Sequence, residues 1–479
     1  MTTPGRRAAE SDQALAETLP LMRSERSWSF VDVVSVKSGL AIATWAFLFG
    51  GATAQLVGFW DGVFAMLFGE TIGVVLLLVA MVLPSSKWGT ELFVHQRSVY
   101  GTVGVMAFVL IVVVGLLFAW ASVLATMIGK ASVEIVRAVF GVLPISVELF
   151  TSTVSLLVLA LGWGVIASGS RGVRVLNRVA APALLALTGW LLIAVFRHVP
   201  LATLAAAPPV AASGDRAMDI MLAVELHIAG GLSWAGLAAN LGRYAHTQRS
   251  VVWGSMISYV LVSCLASTAG LASALTLASA DPVEWMVPIV GPLAGVLLLV
   301  LLALANLSSL VGMLQGNCQT LVQHLGPRLQ RLGWTQYTLL VSIGAAITTL
   351  LATDTLYDRF FVFVSYSQAV MVPMAGIAFA DRVWLRRNQV DVRALYHDGE
   401  GTAYRYWRRV NPVAFVSLFV GGAVYLGLFD PIALTGSAVF LHLSASVPAF
   451  VAAGASHVLL TRALVIPAGK GGYAGRVTR

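Results

Sequence analysis

The chain is predicted to be an all-α polytopic membrane protein with 12 transmembrane helices, and three observations predict it. Between about Lys37 and Leu460 the sequence is a dozen long apolar segments separated by short, arginine-bearing breaks. Of 479 residues, 58% are hydrophobic and 11% charged, against roughly 25% charged in soluble domains. The segments are continuously apolar rather than alternating, which selects helices over a barrel. The mean hydropathy of +0.85 agrees.

About 20 apolar helical residues cross the ~30 Å hydrocarbon core. On that measure the spans lie near 38–58, 61–83, 101–128, 147–168, 180–196, 218–241, 252–278, 288–316, 337–353, 360–380, 412–428 and 433–460. Residues 1–30 read as a flexible tail, and residues 1–36 show no cleavable signal sequence. Residues 381–411 form the one substantial loop, which is basic, and 463–479 form the C-terminal tail. Alternate loops carry sixteen and five Lys or Arg residues. The positive-inside rule places the rich set, with both termini, in the cytoplasm of a cell-membrane protein. The formal net charge of +8 therefore belongs to the cytoplasmic rim and its anionic lipid headgroups, and no nucleic-acid partner is needed to explain it.

Cys264 and Cys318 both fall in apolar segments without CxxC spacing, so they carry neither a disulfide nor a metal argument. No Walker-type, HExxH or GxSxG motif and no soluble catalytic domain is present, so the chain does not read as an enzyme.

Many of the 45 glycines lie inside spans, where small residues let helices approach closely. Two pairs have a second reading. Gly50-Gly51 in the first span and Gly230-Gly231 in the sixth mark corresponding interruptions of two five-helix halves. Paired interruptions of that kind belong to secondary transporters with an inverted repeat. Residues 31–197 and 218–380 would be the two repeats, with 412–462 holding two extra helices.

Several stretches, taken together, resemble the nucleobase:cation symporter-1 family, the purine, cytosine, allantoin and hydantoin permeases. Ala378-Phe-Ala-Asp381-Arg-Val-Trp-Leu-Arg386-Arg387, followed by Ala394-Leu395-Tyr396, is similar to that family's "DYFLVRRR…LY". Tyr404-Arg-Tyr-Trp407-Arg-Arg-Val410-Asn411 is similar to its "YxYWxGVN". Leu232-Ser-Trp234, running to Asn240 and Arg243-Tyr244, resembles "ISWxPYAADYSRY", with Asn240 in place of Asp. The stretch Gly89 to Gly101, and Asn177 with Pro182, fit two further family patterns.

The resemblance implies a leucine-transporter-like fold: a 5+5 inverted repeat plus two helices. It also implies cation-coupled uptake, through Na+ or H+ and with no other cofactor, of a planar heterocycle such as a purine, cytosine, allantoin, hydantoin or vitamin-like ring. For the cation it implies the carbonyls of Gly39, Ile42 and Ala305 with the hydroxyls of Ser308 and Ser309. The alternative for these serines is back-bonding to their own helix. For the substrate it implies Trp120 and Trp234 as stacking faces. Ala43, Leu124 and Leu314 fall where relatives carry polar contacts, with Gln315 and Asn317 as nearby replacements or helix-end caps. That depletion keeps open an amino-acid or other small-solute symporter on the same fold. A non-transporting membrane sensor is the reading from another class.

Three ionisable residues inside spans are functional candidates by position alone. Glu70, Glu225 and His227 are candidates for a proton-linked role, set against a protonated structural role for Glu70 and interfacial wetting for the other two.

Overall fold

The computed structural model describes residues 19–168, 182, 186, 188–197, 199–325, 332–397 and 399–473. Asn177 of the motif analysis, and the arginines at 171, 174, 178, 328 and 331, lie outside the described residues.

Eight helices are long and apolar enough to cross a membrane, and two bent pairs bring the number to ten. The shorter apolar helices Thr188–Arg197 and Pro412–Leu428 occupy the predicted places of spans 5 and 11, which accounts for twelve. Large apolar side chains such as Leu293, Leu351 and Phe419 point outward, as lipid-facing surfaces require.

The two bent pairs are span 1 and span 6, five spans apart. Span 1 consists of Phe30–Ala41 and Thr44–Leu56, bent by 57°. It opens on a capping box in which Ser29 and Asp32 satisfy each other's backbone N–H groups. Its break is Ile42-Ala43, both extended, and not the predicted Gly50-Gly51. Span 6 consists of Arg216–Ser233 and Ala235–Gly242, bent by 41° at Trp234 rather than at Gly230-Gly231.

Both glycine pairs sit in unbroken helix and are there for close approach. A Cβ at Gly50 would collide with the Ser267 carbonyl, and one at Gly51 with the Ala280 carbonyl. One at Gly230 would lie 2.9 Å from Glu70 Oε1 and one at Gly231 3.1 Å from Glu70 Oε2. The second pair therefore makes room for a carboxylate.

Other boundaries shift for identifiable reasons. Span 2 runs Phe59–Trp88 and span 3 runs Gly104–Phe140, each passing through a π turn. Gln248–Leu277 is span 7. Gly291, at a positive φ, separates Pro282–Val290 from span 8, which is Pro292–Leu325 and continues past the predicted end at 316. Gln315 and Asn317 are accordingly mid-helix and do not cap an end. Span 4 is Val147–Ala167, span 9 Trp334–Asp358 and span 10 Phe360–Ala380, near their predicted limits. Span 12 begins at Ser446 and not near 433, because a two-residue hairpin (Phe429–Asp430 with Thr435–Gly436) and the short helix Phe440–Leu443 precede it.

Several connecting segments are docked against the helices. Leu21 N donates to the Gly89 carbonyl and Trp28 pairs with Tyr244 and His246, so the described part of the 1–30 tail is fixed. The connection after span 2 contains a helix, Leu92–Tyr100. The basic 381–411 segment is partly interior, with the fully buried Arg386 donating to Asp381 (2.6 Å), to the carbonyls of Gly471 (2.7 Å) and Ser98 (2.6 Å), and to Tyr406 (3.1 Å). Tyr473 closes the same cluster through Asp381 at 2.8 Å.

Candidate substrate and cation sites

A cavity lies where the two breaks meet spans 3 and 8, lined by Leu40, Trp45, Trp120, Leu124, Ser233, Trp234, Leu237, Ser309 and Met313. Three indoles and four aliphatic or thioether side chains leave two hydroxyls as the polar side chains of the wall. Trp234 packs at the break itself, its ring stacked on Tyr259 (4.8 Å, 14°) and edge-on to Trp45 (5.0 Å, 70°). Its indole Nε1, a buried donor, has no hydrogen-bond partner. Trp120 is held edge-on by Phe360 and Phe363, each at 5.5 Å. Such walls take flat apolar bodies by stacking and edge contact.

Of the residues expected to meet a substrate, Trp120, Trp234 and Leu124 line this cavity. Ala43 is buried in the break of span 1 but is not part of the cavity wall. Leu314 faces away, its Cδ1 lying 3.3 Å from where a Gly162 Cβ would sit on span 4, while Met313 takes the cavity-facing place. Successive helical residues point about 100° apart, so a one-residue difference in register moves the contact to another face. Gln315 is half-buried with an unpaired Oε1, and it too lies outside the wall. Trp45, Leu40, Ser233, Leu237 and Met313 were missed. A tryptophan directly after a helix break is a signal that could have found Trp45.

The residues expected to hold a cation lie around the same break. The first half of span 1 ends at Ala41, so the carbonyls of its last turn lack in-helix donors. Ser38 O is taken by Ile42 N, and Gly39 and Ile42 flank the opening. Across from it on span 8, Asn306 accepts from Thr44 N (3.0 Å) and donates to Thr44 Oγ1 (2.6 Å). That amide ties Ala305, Ser308 and Ser309 to the mouth of the break. Ser309 Oγ is buried, lines the cavity and has no partner, so it is not back-bonded to its helix. Neutral oxygens of this kind suit a hard monovalent cation. Among the described residues, no three His, Cys, Asp or Glu side chains gather as a metal site.

The three ionisable candidates separate. Glu70 and His227 face each other at 3.7 Å between spans 2 and 6. Glu225 does not join them and is not at a wet interface. It is buried and accepts from Ala445 N (3.1 Å), Ser446 N (3.4 Å) and Ser446 Oγ (2.5 Å), capping the start of span 12.

Below the cavity, span ends are knotted around Glu91, just before the Leu92–Tyr100 helix. Its carboxylate accepts from Val94 N (2.9 Å), Thr320 (3.2 Å) and Asn240 (3.4 Å), with His324 Nε2 at 3.7 Å. Asn240 also accepts from Leu92 N at 3.1 Å, a double role that an Asp could not fill beside Glu91. Burial pushes the Glu91 carboxyl up. The His324 hydrogen bond and charge, the Val94 amide and Arg243 outweigh it and hold the group below the ordinary carboxylate range.

A depressed folded-state pKa adds stability that is present above the unfolded value and lost as pH falls through the folded one. Glu91→Gln should therefore lower the melting temperature at pH 7, because an amide cannot accept all these donors. The gap from the parent should close on acidification below about pH 4, near the reference carboxylate value. A pH-independent gap in differential scanning fluorimetry would refute the assignment.

Two discontinuous helices meeting at a cavity walled by aromatic rings are an arrangement used by membrane carriers. Residues 20–452 match the family of permeases for cytosine/purines, uracil, thiamine and allantoin, and the chain belongs to that family. The fold is leucine-transporter-like. It is similar to Mhp1, a nucleobase-cation-symport-1 family transporter, closed with bromovinylhydantoin bound, at 20% identity over 94% of this chain and 96% of that one, with a TM-score of 0.76. The inward-facing conformation of Mhp1 gives 20% identity, 94% of each chain and 0.77. A Na+-coupled sialic acid symporter in a substrate-bound outward-open state gives 14% identity, 95% and 96%, and 0.54. No curated protein sequence matches the chain.

Proposed function

We propose that the chain is a secondary active transporter that couples Na+ entry to uptake of a flat, mainly apolar heterocycle across the cytoplasmic membrane by alternating access. The observation carrying this reading is that both helix breaks, three tryptophans and an unpaired serine hydroxyl meet at one cavity. Residues 31–197 and 218–380 act as the two repeats that rock against each other, and 412–462 as the accessory pair. Both termini, the 381–411 segment and the tails at 1–30 and 463–479 are cytoplasmic. Gly39, Ile42, Ala305, Ser308 and Ser309 hold the cation. Trp120 and Trp234 hold the ring, with Trp45 completing the aromatic wall. The cavity offers a substrate the Trp234 N–H and the Ser309 hydroxyl, so it favours rings with one or two polar edges over densely polar ones.

The test is uptake of labelled uracil, cytosine, allantoin and thiamine, with labelled phenylalanine as the amino-acid comparison, into proteoliposomes with and without an inward Na+ gradient. At least one heterocycle should accumulate only with the gradient. Ser308→Ala with Ser309→Ala should raise the half-saturating Na+ at least about tenfold, the equivalent of about 1.4 kcal/mol, and spare substrate affinity at saturating Na+. Trp120→Ala should cost about 1–3 kcal/mol of binding, and Trp120→Phe less. Phenylalanine uptake alone, or uptake that is indifferent to Na+, would overturn the reading.

A further inference from the structure

Glu70 and His227 are both fully buried, and three of their polar atoms lack a hydrogen-bond partner: both Glu70 oxygens and His227 Nδ1, which faces Glu70 Oε1. Their 3.7 Å separation is too long for a settled hydrogen bond and too short to hold two bare acceptors cheaply. Thr53 Oγ1 has one hydrogen, and it is committed to the Phe49 carbonyl at 2.8 Å. The contact between Thr53 Oγ1 and His227 Nε2 at 2.9 Å must then use a proton on Nε2. In that arrangement neutral His227 is the Nε2–H tautomer, with the Nδ1 lone pair facing Glu70. Two acceptors facing each other require one proton between them.

The surroundings supply no substitute charge. Span 1 presents Thr53 and Phe49, and span 6 presents Gly230 and Gly231. Span 7 contributes the Ser263 hydroxyl, an uncharged donor within reach of Glu70, and the Cys264 thiol, which feels the Glu70 charge. Among the described residues no Lys, Arg or second carboxylate lies within ion-pair distance of either group. The glycine pair keeps the space around the carboxylate clear, since any side chain at Gly230 or Gly231 would press on Glu70. The cluster also shares a wall with the cavity. The Phe49 ring lies 5.7 Å from the His227 ring and 5.6 Å from Trp45, which lines the cavity.

We propose that Glu70 and His227 form a single proton-binding site in the membrane core, which holds one proton in the occluded state and gives it to water when the seam between spans 2 and 6 is wetted. The proton resides on Glu70 Oε1 or His227 Nδ1, and either arrangement leaves the pair with no net charge. Loss of that proton leaves a lone buried carboxylate, which a dry seam does not tolerate. The site rests on the transporter reading only for its role in the cycle; its occupancy does not depend on it.

The experiment is infrared titration of the purified protein in sodium-free buffer, following the carboxylic-acid C=O stretch in H2O and D2O. Glu70→Gln should remove one titrating band. His227→Gln should keep the band but move its midpoint by about one pH unit, because the partner is gone. A band that survives Glu70→Gln, or a midpoint unmoved in His227→Gln, would overturn the proposal. In proteoliposomes loaded with pyranine, uptake by the parent should acidify the lumen, and uptake by Glu70→Gln should not. If no compound is taken up at all, the transport reading fails while the infrared result still decides the site.

Discussion

Gly50→Val is expected to leave almost no folded protein in the membrane. Gly50 is fully buried, and its Cα faces the Ser267 carbonyl and the Leu271 amide of span 7, so a side chain meets backbone rather than another side chain. Overpacking that rotamers can relieve costs about 1–3 kcal/mol. Here spans 1 and 7 must separate along their contact, which also carries the Ser267 hydroxyl bond to the Ala46 carbonyl at 2.9 Å. The cost should exceed that range and consume a large share of the ~5–15 kcal/mol typical of folded proteins. Gly115→Ala is the control, since nothing lies within 4 Å of a Cβ there. Fluorescence-detected gel filtration should show a monodisperse peak for Gly115→Ala and aggregate for Gly50→Val. Equal peaks would mean that spans 1 and 7 do not pack this closely.

Asn306→Leu should be the most damaging substitution for transport that still inserts. The side chain keeps its volume but strands Thr44 N–H and Thr44 Oγ1 at the break of span 1, both buried. Each stranded group costs about 1–3 kcal/mol. With the tether gone, span 8 no longer holds Ser309 against the mouth of the break, and uptake should fall at least about a hundredfold, the equivalent of about 2.7 kcal/mol. Thr44→Val should cause part of the same loss, because the backbone N–H at 44 still donates to Asn306, and the double variant should be little worse than Asn306→Leu alone, since that variant already removes both bonds. Additive losses would show that the two residues act separately.

How much of this was legible in the sequence depends on the kind of signal. Hydropathy averaged over a span survives errors of a few residues, so twelve spans and their order could be read directly. Trp120, Trp234 and the 305–309 stretch could be located because motifs and helical spacing carry them. Glycine pairs did not place the breaks, although the family resemblance put a bend of span 1 at Gly39 and Ile42, beside the break at Ile42-Ala43. A glycine pair marks either a bend or a tight contact, and only the partner surface decides between them: Gly50 meets Ser267, and Gly230 meets Glu70. The bends instead use Ile42-Ala43 and Trp234, residues with no intrinsic preference for interrupting a helix. Glu225 was misplaced for a similar reason. Its partners are backbone amides at 445 and 446, and a donor that every residue possesses leaves no trace in composition.

The Arg386 cluster has a consequence for how the protein is made. The Gly471 carbonyl that Arg386 requires is separated from it by 85 residues, and the Tyr473 hydroxyl that completes Asp381 by 92. A ribosome needs on the order of ten seconds to cover that stretch, and two further hairpin-forming spans must enter the bilayer meanwhile. During this interval the guanidinium has Asp381 and the Ser98 carbonyl but lacks its last acceptors, so these ends of spans 10 and 12 cannot lock together. The assembly of this end is therefore timed by translation, and a nascent chain halted after span 10 presents a half-satisfied charge pair to whatever quality-control machinery surveys the membrane surface.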